Sequence, residues 1–231
     1  GVQLARLDGA WNRLVVFLLS FAIATQLLMA GEIAPTVQIV APHNGLVTHT
    51  DTVDVQIEFT ASAQDGKTTS TGNVSEVPVF VNGIEMANQT IKPNIKNGTV
   101  RFVLDLAARG DGPVVLSASA WQGNRHAGHR GDSQPITITI DRTAPTLAVA
   151  GVTAGQLTNT AVTPIITITD ANPGTSSTRL NGNAFVSGTT ITAAGVYTLL
   201  ISATDAAGNT RTLAIPFEID LTPPVIEISG V

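Results

Sequence analysis

Cysteine is absent from the 231 residues, so neither disulfides nor thiolate metal sites can hold this chain together. Stability has to come from core packing. Charge is scarce too, at 13% of residues against about 25% in a typical soluble protein. The balance is acidic, with a formal net charge of −5, which leaves no basic footprint for nucleic acid. No GxSxG, HExxH or phosphate-cradling glycine loop occurs, so the usual enzyme constellations are missing as well. What fills the space is Thr, Val, Ile, Ala, Gly, Asn and Pro, a mixture suited to short strands and tight turns. The length allows two domains of roughly 100 residues each, with extra. An exported protein without disulfides fits a bacterial surface or periplasm.

One long apolar run is present. Residues 14–30 read LVVFLLSFAIATQLLMA without a charge, and as a helix they would span about 25 Å. Arg6 and Arg13 precede the run, and the next Lys or Arg is Lys67. The positive-inside bias therefore predicts a cytoplasmic N-terminus, with the rest of the chain beyond a bacterial inner membrane crossed once. Trp11 stands where an interfacial anchor would. The run reads either as an uncleaved anchor or as a signal peptide removed after Ala30. Its length favours the anchor, because signal h-regions span about 7–15 residues. Ser20 and Ala24 have the small-xxx-small spacing that lets another membrane helix approach.

Beyond residue 34 the chain repeats itself. Ala34-Pro35-Thr36 recurs as Ala144-Pro145-Thr146, and in altered form as Thr222-Pro223-Pro224. Leu46-Val47-Thr48-His49-Thr50 matches Gln156-Leu157-Thr158-Asn159-Thr160, and Phe80-Val81-Asn82-Gly83 matches Arg179-Leu180-Asn181-Gly182. Leu116-Ser117-Ala118-Ser119 matches Ile201-Ser202-Ala203-Thr204. Four matches in one order predict a domain at 35–141, a second at 142–220 and the opening of a third over 221–231. Tyr197, Leu199, Ile201 and Ala203 alternate with Val196, Thr198, Leu200 and Ser202, and Leu213, Ile215, Phe217 and Ile219 share one face with Pro216 on the other, which is the period of a strand. Asn181-Gly182 and Asp205-Ala206-Ala207-Gly208-Asn209 read as hairpin connections. Gly195-Val196-Tyr197 suggests a corner where the tyrosine bonds back to the backbone, a device that Gly112-Pro113-Val114 lacks. The predicted class is all-β, as tandem immunoglobulin-like sandwiches of about seven strands each.

The segment YTLLISATDAAGNTRTLAIPFEIDLTPPVIEI resembles bacterial Ig-like tandem repeats of surface adhesins and other exported proteins, closely over 142–231 and more loosely over 35–141. The resemblance implies an extended stalk or adhesive array, often ordered by calcium at domain junctions, with a protein or glycan partner at the surface. An accessory subunit of a larger membrane complex is the alternative. Fold alone does not choose a ligand.

Calcium takes about six to eight oxygens, which a linker and two loops can supply together. The candidate ligands are Asp141 and Asp220 at the domain ends, with Asp170 and Asp205 at strand ends. Because Trp121-Gln122-Gly123-Asn124 replaces the DAAGN loop in the first copy, the fuller site is expected beside Asp220. The plainer reading of these residues is turns and strand caps. Arg130-Gly131-Asp132-Ser133 spells an integrin-recognition tripeptide in the connection 121–134, a motif with a high chance rate. His126 and His129 have an HxxH spacing but no third ligand, so a solvated loop is expected there. Asn73, Asn88 and Asn97 head acceptor sequons in the first copy.

Overall fold

The computed structural model describes residues 34–62, 72–123, 129–227 and 230. Strands in the first copy are β1 (Thr36–Ala41), β2 (Val47–Thr48), β3 (Thr52–Thr60), β4 (Val74–Val81), β5 (Ile84–Ile95), β6 (Asn97–Asp105), β7 (Gly112–Gln122), β8 (His129–Asp132) and β9 (Ile136–Ile140). The second copy supplies β10 (Thr146–Ala150), β11 (Gln156–Thr158), β12 (Ile165–Thr169), β13 (Thr175–Leu180), β14 (Asn183–Ala184), β15 (Gly195–Thr204) and β16 (Thr210–Ile219). Among the described residues no helix occurs, and none is long and apolar enough to cross a membrane. The expected membrane segment 14–30, with Arg6, Arg13, Trp11, Ser20 and Ala24, lies outside the described residues.

The two copies share the order of the large sheet, while β6 of the first has no strand counterpart in the second. The first has sheets β1-β3-β6 and β2-β9-β7-β4-β5, with β8 added to β7; the second has β10-β12 and β11-β16-β15-β13-β14. In each, the opening segment splits between sheets. Its first part pairs antiparallel in the small sheet (β1 with β3, β10 with β12). Its second part crosses over and pairs parallel with the final strand: Val47 lies opposite Thr139, and Leu157 opposite Glu218. Such an exchange, with the last two long strands (β7 and β9, β15 and β16) paired at the centre of the large sheet, is the immunoglobulin-like arrangement. Asn181-Gly182 behaves as read, and its match Asn82-Gly83 does the same: Asn82 and Gly83 (φ 50° and 79°) and Asn181 and Gly182 (φ 49° and 83°) take the left-handed pair required by a two-residue hairpin.

Contacts group the chain into two compact units. One comprises the described part of Gly1–Ala41 with Val55–Phe102 and Ser117–Pro135. Its core forms where alternating residues point inward: Val55, Ile57 and Phe59 from β3, Val77, Val79 and Val81 from β4, and Ala118 and Ala120 from β7. The other comprises Pro42–Asp54, Val103–Leu116 and Ile136–Val231. It buries Leu104, Leu106, Leu116, Ile138 and Ile140, and a second cluster around Leu199, Ile201, Ile215, Phe217 and Ile219. Each fully buried Leu or Ile contributes roughly 2 kcal/mol, so these short strands hold without crosslinks. Tyr197 makes the expected corner, donating to the Ala193 carbonyl at 2.9 Å and stacking on Phe217 at 5.2 Å.

Candidate cation site

Asp141 follows β9. Its amide donates to the Thr48 carbonyl at 2.9 Å, and its Oδ1 accepts the Thr143 amide at 3.1 Å, closing an Asx turn. Asp220 follows β16 with the same pattern: its amide donates to Thr158 O at 2.8 Å, and Oδ1 accepts from Thr222 at 2.9 Å. The two exits are therefore structural equivalents, as the sequence repeat predicts. Their surroundings differ.

Strand direction decides which carboxylates meet. Thr146 lies opposite Thr169, so Asp170 emerges beside the linker that carries Asp141. Thr175 lies opposite Thr204 and Thr204 opposite Thr210, so Asp205 emerges at that same end. Asp220 follows Ile219, at the other end of the ten-residue ladder and roughly 30 Å away. Asp141, Asp170 and Asp205 thus converge, with one oxygen from each lying within 4.8 Å of the others. The expectation of a fuller site beside Asp220 is corrected here. Two strands joined by a hairpin run in opposite directions, so the hairpin and the end of the second strand cannot share an end of the sandwich.

Asp141 and Asp205 are 3% and 5% exposed, and Asp170 is half-buried. At 4.8 Å, two like charges repel by about 3 kcal/mol at an effective dielectric near 20. Among the described residues no Lys or Arg pairs with any of the three. Arg142, next in sequence, turns to Asp51 (2.9 Å), Asp111 (3.5 Å) and the Leu106 and Arg109 carbonyls. Two asparagine amides stand in instead. Asn172 Nδ2 donates to Asp141 Oδ2 at 2.8 Å; Asn209 Nδ2 donates to Asp205 Oδ2 at 2.7 Å and to the Asp141 carbonyl at 2.9 Å. Burial pushes the Asp205 carboxyl up. Hydrogen bonds from the Asn209 side chain and the Asn209, Gly208 and Ala207 amides outweigh this and hold it below the ordinary carboxylate range. Asp205 is therefore charged at neutral pH.

This donor set suits a hard cation. Three carboxylates, the Asp141 carbonyl and two amide oxygens brought in by rotation of Asn172 and Asn209 supply the six or more oxygens calcium takes. Oxygens no more than 4.8 Å apart are within reach of one shared cation, whose oxygen ligands stand roughly 2.3–2.6 Å from it. Asn172 and Arg142 escaped the sequence reading, and Asn209 entered it only as a turn residue, although the DAN and DAAGN spellings carry both asparagines.

The other motifs are placed differently from expectation. The described residues of the connection 121–134 pair as a hairpin, β7 running to Gln122 with Trp121 opposite Arg130, while residues 124–128 lie outside the described residues. Arg130, Gly131 and Asp132 sit in β8. Two residues apart in a strand, Arg130 and Asp132 share a face and bond each other at 2.7 Å, and Ser119 joins them. A Cβ on Gly131 would lie 1.7 Å from the Pro35 carbonyl oxygen. The tripeptide is part of a sheet, its two charges spent on each other. His129 is exposed in β8, while His126 lies outside the described residues. Asn88 and Asn97 are exposed and Asn73 is half-buried, bonded to the Asn94 carbonyl.

No protein family and no curated protein matches the chain. Similar solved structures include the fibronectin(III)-like modules of CbhA from Clostridium thermocellum, at 14% identity and TM-score 0.40, over 84% of this chain and 100% of that one. Extracellular cadherin domains 3–6 of protocadherin gamma B2 give 15% and 0.34, over 82% and 51%. The Yersinia pseudotuberculosis adhesin InvE gives 13% and 0.30, over 80% and 59%.

Proposed function

We propose that the chain is an exported structural or adhesive protein, held at a bacterial inner membrane by residues 14–30, that presents tandem Ig-like sandwiches to a protein or glycan partner. In this reading calcium binds Asp141, Asp170 and Asp205 and fixes the linker between the first sandwich and the second. The observation that carries it is the convergence of three carboxylates, two of them buried and none paired with a cation, at the point where one sandwich leads into the next. The equivalent exit at Asp220, followed by exposed Val225 and Ile226 in the register of β10, supports an array of such modules. No catalytic role is assigned.

Calorimetric titration with calcium tests the site. Calcium at a hundred times its Kd adds about 2.7 kcal/mol, which raises the Tm of a unit near 80 residues by roughly 10 °C or more. Asp205→Asn removes that gain. Equal melting curves with calcium and with chelator would discard the cation, and integral-membrane subunits co-purifying with the intact chain would favour the accessory-subunit alternative over an adhesive stalk.

A further inference from the structure

His49 belongs to the turn between β2 and β3, in the first copy, yet its Nδ1 lies 2.5 Å from the carbonyl of Ala207 in the DAAGN hairpin of the second. The turn is braced from inside. Thr48 Oγ1 and Thr50 Oγ1 are 2.9 Å apart, the Thr50 amide donates to Thr48 Oγ1, and Thr50 Oγ1 donates to the Thr52 carbonyl at 2.8 Å. This bracing aims the imidazole at its partner. Gly208, which takes φ +95°, lies against the imidazole: a Cβ there would stand 3.5 Å from His49 Cε1, an ordinary van der Waals contact. One residue further on, Asn209 donates to the Asp141 carbonyl at 2.9 Å. The hairpin is therefore gripped on two sides by residues preceding the second sandwich, by His49 and by Asp141.

We propose that the Thr-His-Thr turn is a docking device that grips the Asp-x-x-Gly-Asn hairpin of the adjoining sandwich, His49 supplying the donor and Ala207 the acceptor. Part of the brace recurs. In the second copy Thr158 Oγ1 and Thr160 Oγ1 are 3.0 Å apart and the Thr160 amide donates to Thr158 Oγ1 at 3.2 Å. Asn159 holds the place of His49, with a side-chain N–H of its own. The partner this turn fits is a further β-sandwich module presenting a hairpin carbonyl ahead of a left-handed glycine. The grip needs no cation and stands apart from the calcium reading.

Hydrogen exchange in chelator tests it, on the whole chain, in which cation loss has already been imposed. In His49→Leu the Gly208 and Asn209 amides exchange roughly fivefold to tenfold faster, the opening expected from one lost hydrogen bond. The Thr139 and Asp141 amides, which hold β2 to β9, keep their rates. His49→Asn restores protection, because the amide donates as Asn159 would. Because the chain has no cysteine, spin labels on Val103→Cys and Val186→Cys, both exposed sites, add a second readout: the distance distribution broadens in His49→Leu and narrows again in His49→Asn. Unchanged exchange in His49→Leu would overturn the proposal. So would equal acceleration at Thr139 and Asp141, or failure of His49→Asn to restore protection.

Discussion

Asn209→Ala tests how the linker is held more directly than any carboxylate substitution, because it alters no formal charge. The side chain makes two bonds through one nitrogen, to Asp205 Oδ2 at 2.7 Å and to the Asp141 carbonyl at 2.9 Å. Its backbone amide, bonded to Asp205 Oδ1 at 2.8 Å, survives the change. The bond to a buried carboxylate is worth about 1.5–3 kcal/mol and the bond to a carbonyl about 1, giving a loss of roughly 2.5–4 kcal/mol. If the second sandwich melts as a unit of about 80 residues, each kcal/mol lowers Tm by about 4–8 °C, so a fall of at least 10 °C is expected by calorimetry. Asn172→Ala, which removes one side-chain bond to the buried Asp141 carboxylate, should cost about 1.5–3 kcal/mol, about 1 kcal/mol less than Asn209→Ala. A fall below about 2 °C in Asn209→Ala, or a larger one in Asn172→Ala, would refute the view that hydrogen bonds from these amides hold the cluster together.

Arg142→Leu, which installs the residue found at the equivalent position 221, should destabilise by about 2 kcal/mol through the lost bonds to the Leu106 and Arg109 carbonyls, as chemical denaturation would show. Raising the salt to 1 M in the native protein should change little, since its partners Asp51 and Asp111 are largely exposed. Acid should act through carboxyls whose folded pKa is depressed: Asp111 through the Thr143 hydroxyl and then the Arg142 amide, Asp220 through Thr222, and Asp205 through Asn209 against burial. Such groups stabilise fully above their unfolded value near 3.8, and the contribution is lost as pH falls through the lower folded value. Tm should therefore hold from neutrality to about pH 5 and drop steeply below 4, and Asp205→Asn should flatten that drop. Tyr197→Phe keeps the stack on Phe217 but loses the Ala193 bond, and a fall of about 4–8 °C in Tm, near 1 kcal/mol, is the expected reading.

Local chemistry wrote much of this fold legibly into the chain. The period-two run from Tyr197 to Ala203 fixes which side faces inward whatever the partner strand, and Leu199 and Ile201 are fully buried as it requires. Asn82-Gly83 and Asn181-Gly182 dictate their hairpins because few other pairs tolerate two left-handed residues. The matched tripeptides and turns make Asp141 and Asp220 equivalent in the sequence itself. Tertiary structure alone decided which loops share an end. Asp205 joins Asp141 because β15 and β16 run opposite ways, a matter of pairing between strands that no single strand encodes. The same holds for His49, some 158 residues from Ala207, and for the Arg-Gly-Asp sequence, whose charges are committed to one another only because β8 folds back onto β7. Side-chain periodicity is a property of one strand. The meeting of carboxylates, amides and an imidazole is a property of several strands at once, and only their packing could specify it.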